Sequence, residues 1–262
     1  MHKIVFVISP PRSVSTALMQ SFYNRGDFEI YHENILTAND SRDPTQAEVS
    51  KDWYYEDRPT SFQEVKTSIL NSAKTKNVLV KEMSFVMDEF LIENADLLVM
   101  ENVYFVILVR NPADTVVSYA NKLEFKDAYK PHIHKWMGYE SVYTVMNLCK
   151  KAKNKFMVVR SEELTRNPES TLRGVCDYLQ LRFKDSMIQW TPPGDKFTGK
   201  HEWHETKNTT LVQHWHGSVL QSSNFVPSNV YAKDADGNPL IEKIWLDAYH
   251  YSVPWYQKII ES

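Results

Sequence analysis

The chain reads as an α/β fold, three layers of α/β/α around a central parallel sheet. Two observations predict it. Residues 3–8, 77–81 and 103–109 are short, β-branched and nearly continuous in apolar character, as strands buried on both faces are. Between them lie stretches with helix-start signals, and strands alternating with helices require a parallel sheet with crossover helices. At 262 residues, 42% hydrophobic, the chain is long enough for one substantial core, expected as a single domain over 1–262.

Each element has its own signal. Residues 28–32 and 156–159 are weaker strands of the same kind. Thr60 and Gln63 fit a capping box ahead of Val65, Ile69 and Leu70. Asn111 before Pro112, and Asn167 before Pro168, each place a capping side chain ahead of a proline at the first helical position. Residues 240–260 carry Ile244, Trp245, Tyr249 and Tyr256 at helical spacing, a packing face. Residues 37–59 and 191–239 are polar and pattern-poor, expected as irregular lids or binding loops.

The bulk numbers exclude several functions. A net charge of −3 rules out a general polyanion-binding face, so no nucleic-acid partner is expected and any anion site must be a local cluster of donors. The apolar run at residues 4–8 is too short for a signal-peptide core, and no run approaches eighteen apolar residues. A soluble, cytoplasmic protein with no membrane partner is expected. The two cysteines, Cys149 and Cys176, sit in helical stretches and read as reduced core thiols.

Two segments carry chemistry. In residues 8–22, ISPPRSVSTALMQSF, a strand ends, a prolyl turn follows and a helix begins near Ser13. A helix start at the carboxyl end of a strand is an anion site, with its amides and dipole aimed outward. Ser13, Ser15 and Thr16 add hydroxyls and Arg12 a permanent, bidentate cation. Laid against the nucleotide-hydrolysing loop G-x-x-x-x-G-K-[ST], residues 9–16 keep only Thr16; Ser9, Val14 and Ser15 replace the glycines and the lysine. Nor does an apolar strand end in a magnesium-binding aspartate, since residues 103–109 run into Arg110. The donor implied is an anion handled without metal. The second segment, VRNPADTVVSY at 109–119, places Arg110 at a strand end and Ser118 about 10 Å along the following helix, near the face of its cap.

Together these segments resemble PAPS-dependent sulfotransferases, whose P-loop-NTPase-like fold is then implied. PRSVSTAL is similar to their 5′-phosphosulfate loop, most nearly the P-R-S-x-[ST]-T carbohydrate and tyrosylprotein type. Residues 110–118 are similar to an R-N-P-x-D-x-x-x-S segment that binds the 3′-phosphate, and residues 158–181 to a scaffold segment with Glu162 and Glu163 at a helix start. The resemblance implies 3′-phosphoadenosine 5′-phosphosulfate (PAPS) as co-substrate, adenosine 3′,5′-bisphosphate as product, no metal, and an acceptor hydroxyl or amine. It assigns donor binding to Arg12, Ser13, Val14, Ser15, Thr16, Arg110 and Ser118. Val14 stands where the family usually has glycine, and valine resists positive φ, so a differently shaped loop is expected there.

Arg12 suits the leaving group, and Glu33, twenty-one residues later at the end of a strand, matches a glutamate base of the carbohydrate and tyrosylprotein type. Glu82 and His32 are the alternative bases; Lys81-Glu82-Met83 lacks the histidine that small-molecule sulfotransferases carry there, while Lys81 remains able to reach the transferring group. In residues 196–207, His201 and His204 fall one residue short of the H-E-x-x-H zinc pattern, so a lid in which Lys196, Lys200 and Trp203 cover the donor is the functional reading. His214 and His216 lie nearby, and Trp53, Tyr54 and Tyr55 suit an acceptor cleft. A nucleotide kinase, or a catalytically silent nucleotide-binding protein of the same fold, are the competing functions.

Overall fold

The computed structural model describes residues 2–42, 57–123, 132–192, 209–227 and 233–262. Five parallel strands form one sheet: β1 (Ile4–Ser9), β2 (Phe28–His32), β3 (Asn77–Met83), β4 (Val103–Val109) and β5 (Phe156–Arg160). Their order is β2-β3-β1-β4-β5, so β1 is central and the chain crosses it between β3 and β4. Ile8 pairs with Glu82 on one side and Ile107 on the other. The sheet therefore brings the ends of β1, β3 and β4 together, the edge at which open α/β sheets bind ligands.

Every residue of β1 is buried. The two faces of the pleat feed separate cores. Ile4, Phe6 and Ile8 face a cluster with Val80, Phe90, Phe105 and Ile107, closed by α3 (Phe62–Ser72), α4 (Ser84–Glu93), α7 (Tyr139–Lys151) and α11 (Lys243–Ile260). Val5 and Val7 face a second cluster with Leu18, Phe22, Leu79, Leu108 and Leu172, covered by α1 (Ser15–Arg25) and α9 (Pro168–Tyr178). Phe6 sits at the centre, its ring 5.5 Å from that of Phe105 and 6.2 Å from that of Phe90. Cys149 and Cys176 are buried thiols, burial pushing Cys149 up to about 12.

The remaining helices are α2 (Asn34–Arg42), α5 (Pro112–Ala120), α6 (Ile133–Met137), α8 (Ser161–Arg166) and α10 (Thr209–Gln221). Two of them correct the sequence reading: α2 runs through 37–42 and α10 lies within 191–239, both expected to be irregular. Polar surface positions hide the pattern in each. The caps divide similarly. Asn111 accepts from the Ala113 N–H at 2.9 Å, as expected. Asn167 makes no side-chain cap and donates instead to Glu163 at 3.4 Å. The box expected at Thr60 begins one residue later: Ser61 accepts from the Glu64 N–H, and Glu64 reaches back to the Thr60 N–H at 2.8 Å. Among the described residues no helix is long and apolar enough to cross a membrane.

Phe6→Ala should cost about 3–5 kcal/mol in urea denaturation, because both ring partners lose their contact and the centre of a sheet collapses poorly. A loss below about 1 kcal/mol would mean that the two clusters repack around the gap.

Candidate active site

The first loop leaves β1 at Ser9 and enters α1 at Ser15. Arg12 and Val14 both adopt left-handed backbone, φ 60° and 66°. Val14 thus takes the glycine-like conformation that its branched side chain opposes, which corrects the expected reshaping of the loop. Its side chain packs against the second cluster, and that apolar contact offsets a conformational cost of roughly 1–2 kcal/mol. The first turn of α1 points its amides at the sheet edge. The hydroxyls of Ser9 and Ser13 are buried there with no hydrogen-bond partner among the described residues.

The β4 tip joins this loop directly. Arg110, buried at the strand end, donates through Nη1 to the Arg12 carbonyl at 2.8 Å. Arg12 in turn donates through Nε to Ser118 Oγ at 3.2 Å and through Nη1 to the Trp215 carbonyl at 2.7 Å. Arg12, Arg110 and Ser118 are therefore one connected cluster, where the sequence suggested two separate pockets. Two buried contacts fix its frame, Tyr139 OH donating to the Arg110 carbonyl at 2.7 Å and Ser161 Oγ to the Ser13 carbonyl at 2.6 Å, and at the surface Glu162 Oε1 accepts from the Asn111 N–H at 2.7 Å.

Beside it, Glu33 follows the last residue of β2, again with positive φ, 61°. The backbone still pairs, since the Glu33 N–H donates to the Lys81 carbonyl at 2.9 Å. The left-handed turn takes the side chain out of strand alternation. Lys81 lies in the row of Val7 and Glu82 in the row of Ile8, on opposite faces of the sheet. Glu33 meets Lys81, forming an ion pair and hydrogen bond with its ammonium group. His32 Nε2 is 3.5 Å from Glu33 Oε1, and the His32 and His216 rings stand 5.0 Å apart. His216 Nδ1 is 3.4 Å from Thr16 Oγ1, so α10 touches both halves of the site.

A sulfotransferase-domain model matches residues 2–243. The chain belongs to that family. Two Arabidopsis thaliana relatives of this sulfotransferase-family chain, branched-chain-amino-acid aminotransferase-like proteins 2 and 1, are each 30% identical over 194 residues. That alignment takes in 72% of this chain and 32% of each relative, so the chain spans about a third of the length of the curated relatives it matches. Among solved structures, the sulfotransferase domain from the curacin biosynthetic pathway superposes with a TM-score of 0.53 at 18% identity, covering 85% of this chain and 92% of that one. At that identity the shared feature is the fold.

Within this sulfotransferase-family site, the half-buried Glu33 and the buried Glu82 are driven in opposite directions. Burial alone would raise Glu33; the charges of Lys81, His32 and His216 outweigh it and hold the carboxyl far below the usual carboxylate range. Glu82 is pushed up to about 8, first by burial and then by the neighbouring Glu33 carboxylate. Its oxygens accept from the Ile35 N–H at 2.8 Å and the Met83 N–H at 3.1 Å, so this alternative base is fully buried and anchors the start of α2. Of the remaining sequence candidates, Lys200 falls outside the described residues, as do Lys196, Trp203, His201, His204, Trp53, Tyr54 and Tyr55. His214 is exposed and pairs with the Lys122 carbonyl. Sequence reading missed Trp215 and His216 as site residues; the spacing of Trp215, Val219 and Leu220 was the available hint of a helix there.

The elevated Glu82 has a sign that can be tested. Its folded pKa lies above the ordinary 4.5, so the folded chain holds a proton that the unfolded chain has released. Stability attributable to Glu82 then falls as pH rises from about 4.5 to 8, by at most about 1.4 kcal/mol per pH unit. Urea denaturation of wild type and Glu82→Gln at pH 6, 7 and 8 should show the variant gaining relative to wild type at each step. A constant difference would mean that Glu82 is ionised throughout.

Proposed function

We propose that this chain transfers a sulfuryl group from PAPS to an acceptor hydroxyl or amine by in-line displacement without metal, releasing adenosine 3′,5′-bisphosphate. The observation that carries the reading is the joined Arg12–Ser118–Arg110 cluster at the tips of neighbouring strands. Family membership and the sulfotransferase fold support it. The fit also rests on the orphaned Ser13 hydroxyl, a buried donor two residues before the start of α1 that a bound anion would satisfy.

In this reading Arg12, Ser13, Val14, Ser15 and Thr16 hold the 5′-phosphosulfate, the backbone N–H of Val14 contributing where its side chain does not. Arg110 and Ser118 hold the 3′-phosphate, which a kinase donor lacks. PAPS supplies a sulfuryl group on a phosphate leaving group. Arg12 and the α1 amides neutralise the charge developing on the leaving side of a loose transition state.

Glu33 is the base. Paired with Lys81 it is ionised and therefore free to accept a proton, but a strongly lowered carboxyl is a weak acceptor. Lys81 turning toward the transferring group would strip Glu33 of its largest attractive partner and let its basicity recover. One side chain thus couples stabilisation of the transferring group to activation of the base. A glutamate in this place, and no histidine after Lys81, favour the P-R-S-x-[ST]-T type over the small-molecule type. The acceptor class comprises small molecules, glycans or peptides. A nucleotide kinase is disfavoured because the loop lacks both glycines and the lysine of the hydrolysing pattern.

Calorimetry separates the readings. Adenosine 3′,5′-bisphosphate should bind in preference to ADP with magnesium, and Arg110→Ala should abolish that preference; indifference to the 3′-phosphate would reject PAPS. Glu33→Gln should keep bisphosphate binding and lose turnover by about 10²–10⁴-fold. Full activity in that variant would remove Glu33 from the reaction.

A further inference from the structure

We propose that His32, Glu33 and His216 form a binding site for a divalent ion of the zinc class, which pins α10 to the end of β2. One ligand atom from each of the three residues lies within 4.8 Å of the others. His32 is buried; Glu33 and His216 are half-buried, Glu33 held by Lys81 and His216 by Thr16. Two imidazoles and one carboxylate suit zinc, cobalt or nickel far better than magnesium or calcium, which favour oxygen.

The geometry needs little adjustment. Ligand atoms around one zinc lie about 3.3 Å apart, from bonds of about 2.0–2.1 Å at tetrahedral angles. Side-chain rotation of a little over an ångström gathers these three. The Thr16 hydroxyl, 3.4 Å from Nδ1 of His216, holds that ring in the manner of the outer-shell partners that orient ligating imidazoles. His32 and Glu33 are consecutive residues at a strand end, while His216 comes from a helix about 180 residues later in the chain. An ion there is a cross-link between the sheet and α10.

Lys81 defines the character of the site. Its ammonium already engages Glu33, so an arriving dication must displace it or share the carboxylate against like-charge repulsion. Such a site is reversible rather than structural. It differs from the His201 and His204 pair considered in the sequence, and it leaves sulfuryl transfer itself free of metal. The ion would occupy Glu33 and hold α10, whose Trp215 carbonyl sits on Arg12, so its effect on turnover is inhibition. That consequence rests on the proposed role of Glu33; the binding does not.

The test is titration of the full chain, without nucleotide, with Zn²⁺ by calorimetry and with Co²⁺ by visible absorption. One equivalent should bind, and cobalt should show d–d bands characteristic of nitrogen and oxygen ligands. His32→Ala and His216→Ala should each weaken binding by more than the roughly 100-fold that loss of an outer-shell partner costs. His214→Ala, two residues from His216 on the exposed face, should leave it unchanged. Lys81→Met should tighten it by about tenfold or more. Should burial of His32 prevent that variant from folding, His216→Ala on the half-exposed helix carries the result. Binding that is absent from wild type, or that survives in His216→Ala, overturns the site. Separate titration with adenosine 3′,5′-bisphosphate reads the transferase proposal alone, so the two can fail independently.

Discussion

The site depends on the parallel pairing of β1 with β4. Ile8 opposite Ile107 puts the ends of two buried strands about one strand spacing apart, and both chains then turn outward carrying an arginine. Two guanidiniums so close would repel. The fold manages this by giving Arg110 a neutral acceptor, the Arg12 carbonyl, and by giving Arg12 the Ser118 hydroxyl and the Trp215 carbonyl. Arg110 also lies 3.8 Å from Asp114. Neutral acceptors hold each guanidinium without cancelling its charge, which suits an anion site in a chain of net charge −3.

The neighbouring strand pair performs the opposite task. Glu33, just past β2, and Glu82, one residue from the end of β3, lie within electrostatic reach of each other, and the sheet separates them by face. One backbone angle at Glu33 assigns its carboxylate to Lys81 and leaves Glu82 to the N-terminus of α2. The result is one carboxylate ionised under all ordinary conditions and one that holds its proton toward neutrality. Divergence of this kind between adjacent acids is a recurrent mark of sites that move protons.

Most of the frame could be read from the chain because it depends on local composition. Strands at 28–32 and 103–109 appear with those bounds, and Asn111-Pro112 caps as its chemistry dictates. The Arg12 and Arg110 loops were legible for the same reason: each is a contiguous run in which turn, cap and charge occur together. What stayed hidden depends on tertiary contact. Nothing local says that Asn167 will prefer Glu163 to its own helix, or that Glu82 will be taken up by its neighbour's amide at Met83 and by that of Ile35, in a helix begun one residue after Glu33. His216 was visible only as one histidine among several, because its meaning comes from a strand end far away in sequence.

The loop around Val14 bears on how such sites are found. A search that demands glycine at this place, on the ground that only glycine tolerates the required dihedral angles, passes over a chain in which a hydrophobic neighbour makes valine tolerable. Backbone shape is the invariant and residue identity only one means of reaching it. Descriptors built on φ and ψ along the strand-to-helix turn would gather chains that letter patterns scatter.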